Sequence, residues 1–132
     1  MDYKTHLVGG VAFGIGFIYF SPKLNIDVQP LFLVAGSLVG ALLPDIDHPR
    51  SYLGSKIPII PSLLYSTVGH RTLTHSIFFA VFIGILFGLI DYNFGFGVFI
   101  GIISHILLDM LTPQGVSYLY PFYKKRIKWF RH

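Results

Sequence analysis

Apolar residues along this chain fall into four blocks, at 7–20, 31–43, 76–90 and 94–111, and the stretches between and flanking them hold nearly all of the charge. The blocks predict an all-α membrane protein, a bundle of four short transmembrane helices at about 6–21, 30–44, 74–91 and 94–112. A helix crossing a typical bilayer needs about 20 apolar residues, and most of the blocks are shorter. Either the helices extend into their polar flanks or the bilayer thins around them. Both remedies leave the flanking His and Asp close to hydrocarbon. Several glycines interrupt the blocks, which is common in membrane helices and unfavourable in soluble ones. No small-residue cleavage site follows Phe20 and three apolar blocks come after it, so the first block is expected to be a helix of the protein and not a signal peptide.

The longest break, 52–69, contains Ile57-Pro58-Ile59-Ile60-Pro61, too short and too broken by proline to span. It is expected to lie at the membrane interface, between helices two and three. The segment 118–132 mixes Tyr, Phe and Trp129 with five basic residues, a composition suited to anionic lipid headgroups. With no internal repeat or low-complexity run, residues 1–132 are expected to form one polytopic membrane domain.

Composition strengthens this picture. The chain is 53% hydrophobic and 12% charged, against about 25% charged in a soluble domain, and it contains no Glu. The absence of Cys excludes disulfides and thiolate metal sites, leaving imidazole and carboxylate ligands. The net charge of +4 is unevenly spread and gives no reason to expect a nucleic-acid partner. Four spans would put Lys4, Arg50, Lys56, Arg71, Lys124, Lys125, Arg126, Lys128 and Arg131 on one side and Lys23 alone on the other. The positive-inside rule then places both termini in the cytoplasm.

On that topology the ionisable residues gather at one rim. His6 opens the first helix; Asp45, Asp47 and His48 follow the second; His70, Arg71 and His75 lead into the third; His105 and Asp109 end the fourth. Ionisable groups near hydrocarbon are costly and usually functional. Neutral imidazoles and carboxylates bind Zn²⁺, Mn²⁺ or Fe²⁺, which would justify the cost. The expected ligands are His6, Asp45, Asp47, His70, His75, His105 and Asp109, holding two divalent ions with zinc foremost and manganese or iron next.

Spacing supports the grouping. His105 and Asp109 are four apart and project from one helix face, which Gly97 and Gly101 continue. His6, Gly10 and Gly14 repeat the pattern on the first helix, and Gly36 and Gly40 precede Pro44 and Asp45 on the second. Glycine faces let helices approach closely, so the ligands should emerge where those faces meet. In an extended Asp45-Ile46-Asp47 both carboxylates would point the same way, suiting two cations. Arg71 is the candidate clamp for a phosphate or oxyanion, with Arg50 a weaker one.

Each residue also has a plainer role. Taken alone, His6 reads as an interfacial histidine, Asp47 as a turn cap and His48 as a partner hydrogen-bonded to a ligand. Gln114, in Thr112-Pro113-Gln114-Gly115, reads first as part of a helix stop and turn and second as a substrate contact.

Three segments carry a resemblance: Gly40-Ala41-Leu42-Leu43-Pro44-Asp45-Ile46-Asp47-His48-Pro49, Gly69-His70-Arg71-Thr72-Leu73-Thr74-His75-Ser76, and Ser104-His105-Ile106-Leu107-Leu108-Asp109 through Leu111-Thr112-Pro113-Gln114-Gly115-Val116. With His6, Gly9 and Gly10 they resemble the YdjM-like family, small prokaryotic inner-membrane proteins generally labelled membrane-bound metal-dependent hydrolases. The resemblance covers nearly the whole chain and implies hydrolysis at the cytoplasmic (inner) membrane, without naming a substrate. The His-x-x-x-Asp pair also resembles one in zinc-dependent phospholipase C enzymes.

The expectation is therefore a cytoplasm-facing, metal-dependent hydrolase acting on a lipid phosphoester, with Arg71 and Asp47 at the reacting centre. A lipid substrate follows from a site at the bilayer rim, where a headgroup can enter sideways. A metal or proton transporter would need polar residues across the membrane depth, and the far halves of the helices hold almost none. A metal-stabilised scaffold without turnover is the third reading.

Overall fold

In the computed structural model, which describes residues 3–47 and 76–111, the chain is helical, and no strand occurs among the described residues. Helix α1 spans Tyr3–Phe20 and continues as a 3-10 turn, Ser21–Leu24. Helix α2 spans Pro30–Leu42 and passes into a second 3-10 turn, Leu43–Asp47. Helix α3 spans Ile77–Gly88 and α4 spans Tyr92–Met110.

The ends follow from local chemistry. Asn25 closes the turn after α1 in the left-handed region, at φ 56°, which Asn tolerates better than most residues. Pro30 opens α2, where its missing N–H costs nothing, and the Gln29 side chain accepts from Leu31 N at 3.1 Å. Ser76 Oγ accepts from Phe79 N at 3.1 Å and starts α3 a little later than the apolar pattern suggests. Asp91 Oδ1 accepts from Phe94 N at 3.0 Å and starts α4.

One sequence expectation is corrected here. Residues 43–47 are not extended, so Asp45 and Asp47 do not share a face by strand alternation. Pro44 has no N–H to give to the carbonyl four residues back, and the chain tightens to three residues per turn in place of uncoiling. The interfacial loop expected at 52–69 and the basic aromatic segment 118–132 lie outside the described residues.

Helices α1, α2 and α4 pack against one another, α2 and α4 most extensively, and α3 packs on α4. The buried residues of α1 are His6, Gly10 and Gly14, one residue per turn on one face. A Cβ on Gly10 would lie 2.8 Å from both Ala41 Cβ and the Ser37 carbonyl oxygen of α2. The α2–α4 contact is closer still. A Cβ on Gly40 would run into the Val98 carbonyl, and one on Gly101 would run into the Ser37 carbonyl and stand 2.7 Å from Ala41 N. Backbones meet here without side chains between them, as small residues permit in membrane helices. Beside this seam, Val98, Ile102, Ile106 and Met110 form a second stripe of α4, which with Ala80 of α3 makes the hydrophobic core.

The outward faces are apolar. Val8, Leu31, Leu89 and Ile90 are 70%, 73%, 80% and 84% exposed, and Ile15, Phe82 and Ile85 are exposed as well. Apolar surface this continuous marks a membrane or protein contact. Helix α1 with its turn (22 residues) and α4 (19 residues) are long and apolar enough to cross a membrane. Helix α2 with its 3-10 turn, 13 residues followed by 5, extends to about 30 Å, while the 12 residues of α3 reach about 18 Å.

Candidate metal centre

The glycine seams bring the start of α1, the end of α2 and the end of α4 together, and the ionisable residues stand where they meet. His6, His105 and Asp109 are buried, at 0%, 0% and 1% exposure, and each offers a ligand atom within 4.8 Å of the others. Asp45 enters from the 3-10 turn after α2. Its Oδ1 lies 3.3 Å from His105 Nε2, and its side chain is 16% exposed, the partly open corner of the group.

Helical periodicity places His105 above Asp109, with His105 Nε2 3.1 Å from Asp109 Oδ2. The other carboxylate oxygen, Oδ1, lies 3.2 Å from His6 Nε2. The two imidazoles stack face to face, ring centroids 3.5 Å apart and planes within 6°.

The orientation of His105 is set from behind. Ala41 is among the last four residues of α2, whose carbonyls an α-helix leaves without a partner inside the helix. His105 Nδ1 lies 2.5 Å from the Ala41 oxygen. A carbonyl only accepts, so Nδ1–H donates, and in the neutral ring Nε2 then presents its lone pair to the carboxylates. The Gly40 and Gly101 contacts make this bond possible by bringing the two backbones into contact.

Nitrogen and oxygen atoms thus face one another at 3.1–3.3 Å, within α4 and across from α1 and the turn after α2. Two ligands of one tetrahedral zinc, with bonds of about 2.0–2.1 Å, stand about 3.3–3.4 Å apart. Buried carboxylates carry a high desolvation cost unless a cation or strong donor compensates them. Oxygen and imidazole donors, buried, converging and oriented by a backbone carbonyl, fit a divalent transition-metal ion, and this group can hold one.

Of the seven residues expected to bind metal, His6, Asp45, His105 and Asp109 are brought together. Asp47 lies in the 3-10 turn two residues beyond Asp45, and its side chain is outside what the structure describes. His48, Arg50, His70, Arg71, His75 and Gln114 also lie outside the described residues. Sequence reasoning did not find the Ala41 carbonyl, because a backbone acceptor carries no residue-type signal. It also passed over a polar clasp at the opposite end, where Gln29 N donates to Asn93 Oδ1 at 2.7 Å and Tyr92 Oη donates to the Asp27 carbonyl. The signal there was an Asn and a Gln flanking apolar blocks.

Comparison with known proteins agrees with a membrane protein. The chain is 37% identical over 123 residues to an uncharacterized protein, YvsG, of Bacillus subtilis (strain 168), covering 92% of this chain and 74% of that protein. It is 39% identical over 128 residues to the inner membrane protein YdjM of Escherichia coli (strain K12), covering 86% of this chain and 64% of that one. The chain therefore spans just under two thirds of the length of that second relative. No solved structure matches. The YdjM inner membrane protein family matches residues 1–131, and the chain belongs to that family.

Proposed function

We propose that this protein is a membrane-embedded, metal-dependent hydrolase whose His/Asp site faces the cytoplasm and cleaves a lipid phosphoester. The observation that supports it is the convergence of buried His6, His105 and Asp109 with partly exposed Asp45 at one end of an apolar bundle. A divalent ion at such a site supplies Lewis-acid polarisation and an activated water when bound. The chain's own residues do the rest. Ala41 aims His105, the glycine seams fix the distances, and the buried side of the site excludes bulk water. Asp45 stands where the site opens, and Asp47, two residues further along the turn, would accept a proton from an attacking water. Arg71 clamps the phosphoryl oxygens and neutralises charge that develops on them. A headgroup enters sideways from the lipid, since the bundle's flanks are apolar.

A second reading has its own support. His6–Asp109 ties α1 to α4, and His105–Ala41 ties α4 to α2, so the same group could serve as a metal-stabilised clamp without turnover. Purified protein in detergent, with metal content measured, would be given phospholipids of differing headgroups and assayed for water-soluble phosphate esters. Release that requires metal and is lost in His105→Ala supports the hydrolase. Bound metal that raises the thermal midpoint with no release from any lipid class would replace it with the clamp.

A further inference from the structure

We propose that Asp109 is a bridging carboxylate between two cation positions, one served by His105 and Asp45 and the other by His6. The proposal rests on the metal-dependent reading of this site and adds which residue serves which ion.

The two oxygens of Asp109 are divided between two imidazoles, Oδ1 beside His6 Nε2 at 3.2 Å and Oδ2 beside His105 Nε2 at 3.1 Å. Because one carboxylate touches both, the two Nε2 atoms stand at the same end of the stacked rings. A ring nitrogen's lone pair lies in the plane of its ring. With planes 6° from parallel and centroids 3.5 Å apart, the two lone pairs run side by side and do not converge. An ion shared by both would sit midway, about 1.75 Å out of each plane, half of the 3.5 Å separation. With metal–nitrogen bonds of about 2.0–2.1 Å, that is some 55–60° off each lone pair, a poor bond to both. An ion in the plane of each ring is well bonded. The lone pairs are then about 3.5 Å apart, at the spacing of about 3.5–4 Å where two cations act together.

The two positions are unequal. Asp45 stands beside His105, at 3.3 Å, giving that position three donors among the described residues against two for the other. The His105 ring is also held from behind by Ala41, whereas His6 Nδ1 makes no hydrogen bond among the described residues. Loss of such a support costs about 10–100-fold in metal affinity, so the His6 position is the weaker by about that factor.

Manganese is the probe, because two bridged Mn²⁺ ions give an exchange-coupled electron paramagnetic resonance spectrum unlike that of one. The full chain in detergent would be titrated with Mn²⁺ and the spectrum recorded at each step. The expected result is two ions per chain, the second binding about 10–100-fold more weakly and bringing the coupled signal with it. His6→Gln should keep the tight ion and lose the coupling. A wild-type chain that saturates with one uncoupled Mn²⁺ would overturn the bridge and leave the metal-dependent reading standing. A folded chain that takes up neither Mn²⁺ nor Zn²⁺ would end both. Full coupling in His6→Gln would overturn the assignment of the second position. The wild-type spectrum alone tests the bridge, whether or not the variant folds.

Discussion

His105 is engaged on both edges of its ring, by the Ala41 carbonyl on one and by Asp109 and Asp45 on the other. That double engagement gives its removal a definite consequence. His105→Ala or Asp109→Ala should weaken metal binding by more than the roughly 100-fold seen when only a ligand's supporting partner is lost. Equilibrium dialysis against buffered Zn²⁺ would measure it, and unchanged affinity in both variants would remove the site. Arg71 makes the opposite prediction, because its proposed work is on charge that develops during reaction. Arg71→Ala should keep its metal and lose turnover by about 100-fold or more, with partial recovery in Arg71→Lys, which lacks the planar fork. Wild-type turnover in Arg71→Ala would rule out the clamp. At this scale the sequence was informative in groups and weak for single residues. His6 alone looks like an interfacial histidine; its burial against Asp109 becomes legible only once Gly10 and Gly14 are read as the continuation of its face. The Ala41 contact was illegible, since any residue supplies a carbonyl.

Among the elements, the helices were legible because apolar blocks in lipid must be helical, whereas the caps at Gln29, Ser76 and Asp91 that fix three of their starts were passed over. The 3-10 turn after α2 was not, because Pro44 announces that the α-helix stops but carries no signal for the conformation that replaces it. The glycine seams were legible as spacing, and the structure shows how little room they leave. Gly101 stands against the backbone of α2, whereas a Cβ on Gly16 meets nothing within 4 Å. Gly101→Leu should therefore separate α2 from α4, costing at least the 1–3 kcal/mol or so of an overpacked interior, and should weaken metal binding along with stability. Gly16→Ala should leave both unchanged. Thermal midpoints in detergent and zinc content would be compared. A Gly101→Leu variant as stable and as metal-rich as Gly16→Ala would mean that α2 and α4 do not touch as described.

For the whole molecule, the site end and the far end differ in kind. The far end carries the polar clasp, with Lys23 over the rings of Tyr19 and Phe20 at 5.1 and 5.2 Å, an arrangement suited to a headgroup layer. In sequence, every other Lys or Arg lies at the start of α1, between α2 and α3, or after α4. Reporter fusions after residues 27 and 90 should therefore read external, and those after residues 55 and 132 cytoplasmic. An external reading at 132 would separate the termini from the site's compartment. One further consequence concerns synthesis. His6 and Asp109 are 103 positions apart, counted from 6 to 109, and lie on the first and last of the described helices. At about 5–20 residues per second, Asp109 is made about 5–20 s after His6. During that interval a newly inserted α1 carries an imidazole with no Asp109 to meet. The His6–Asp109 contact can therefore close only once α4 has been made, and under the metal-dependent reading an ion that needs both residues is taken up late.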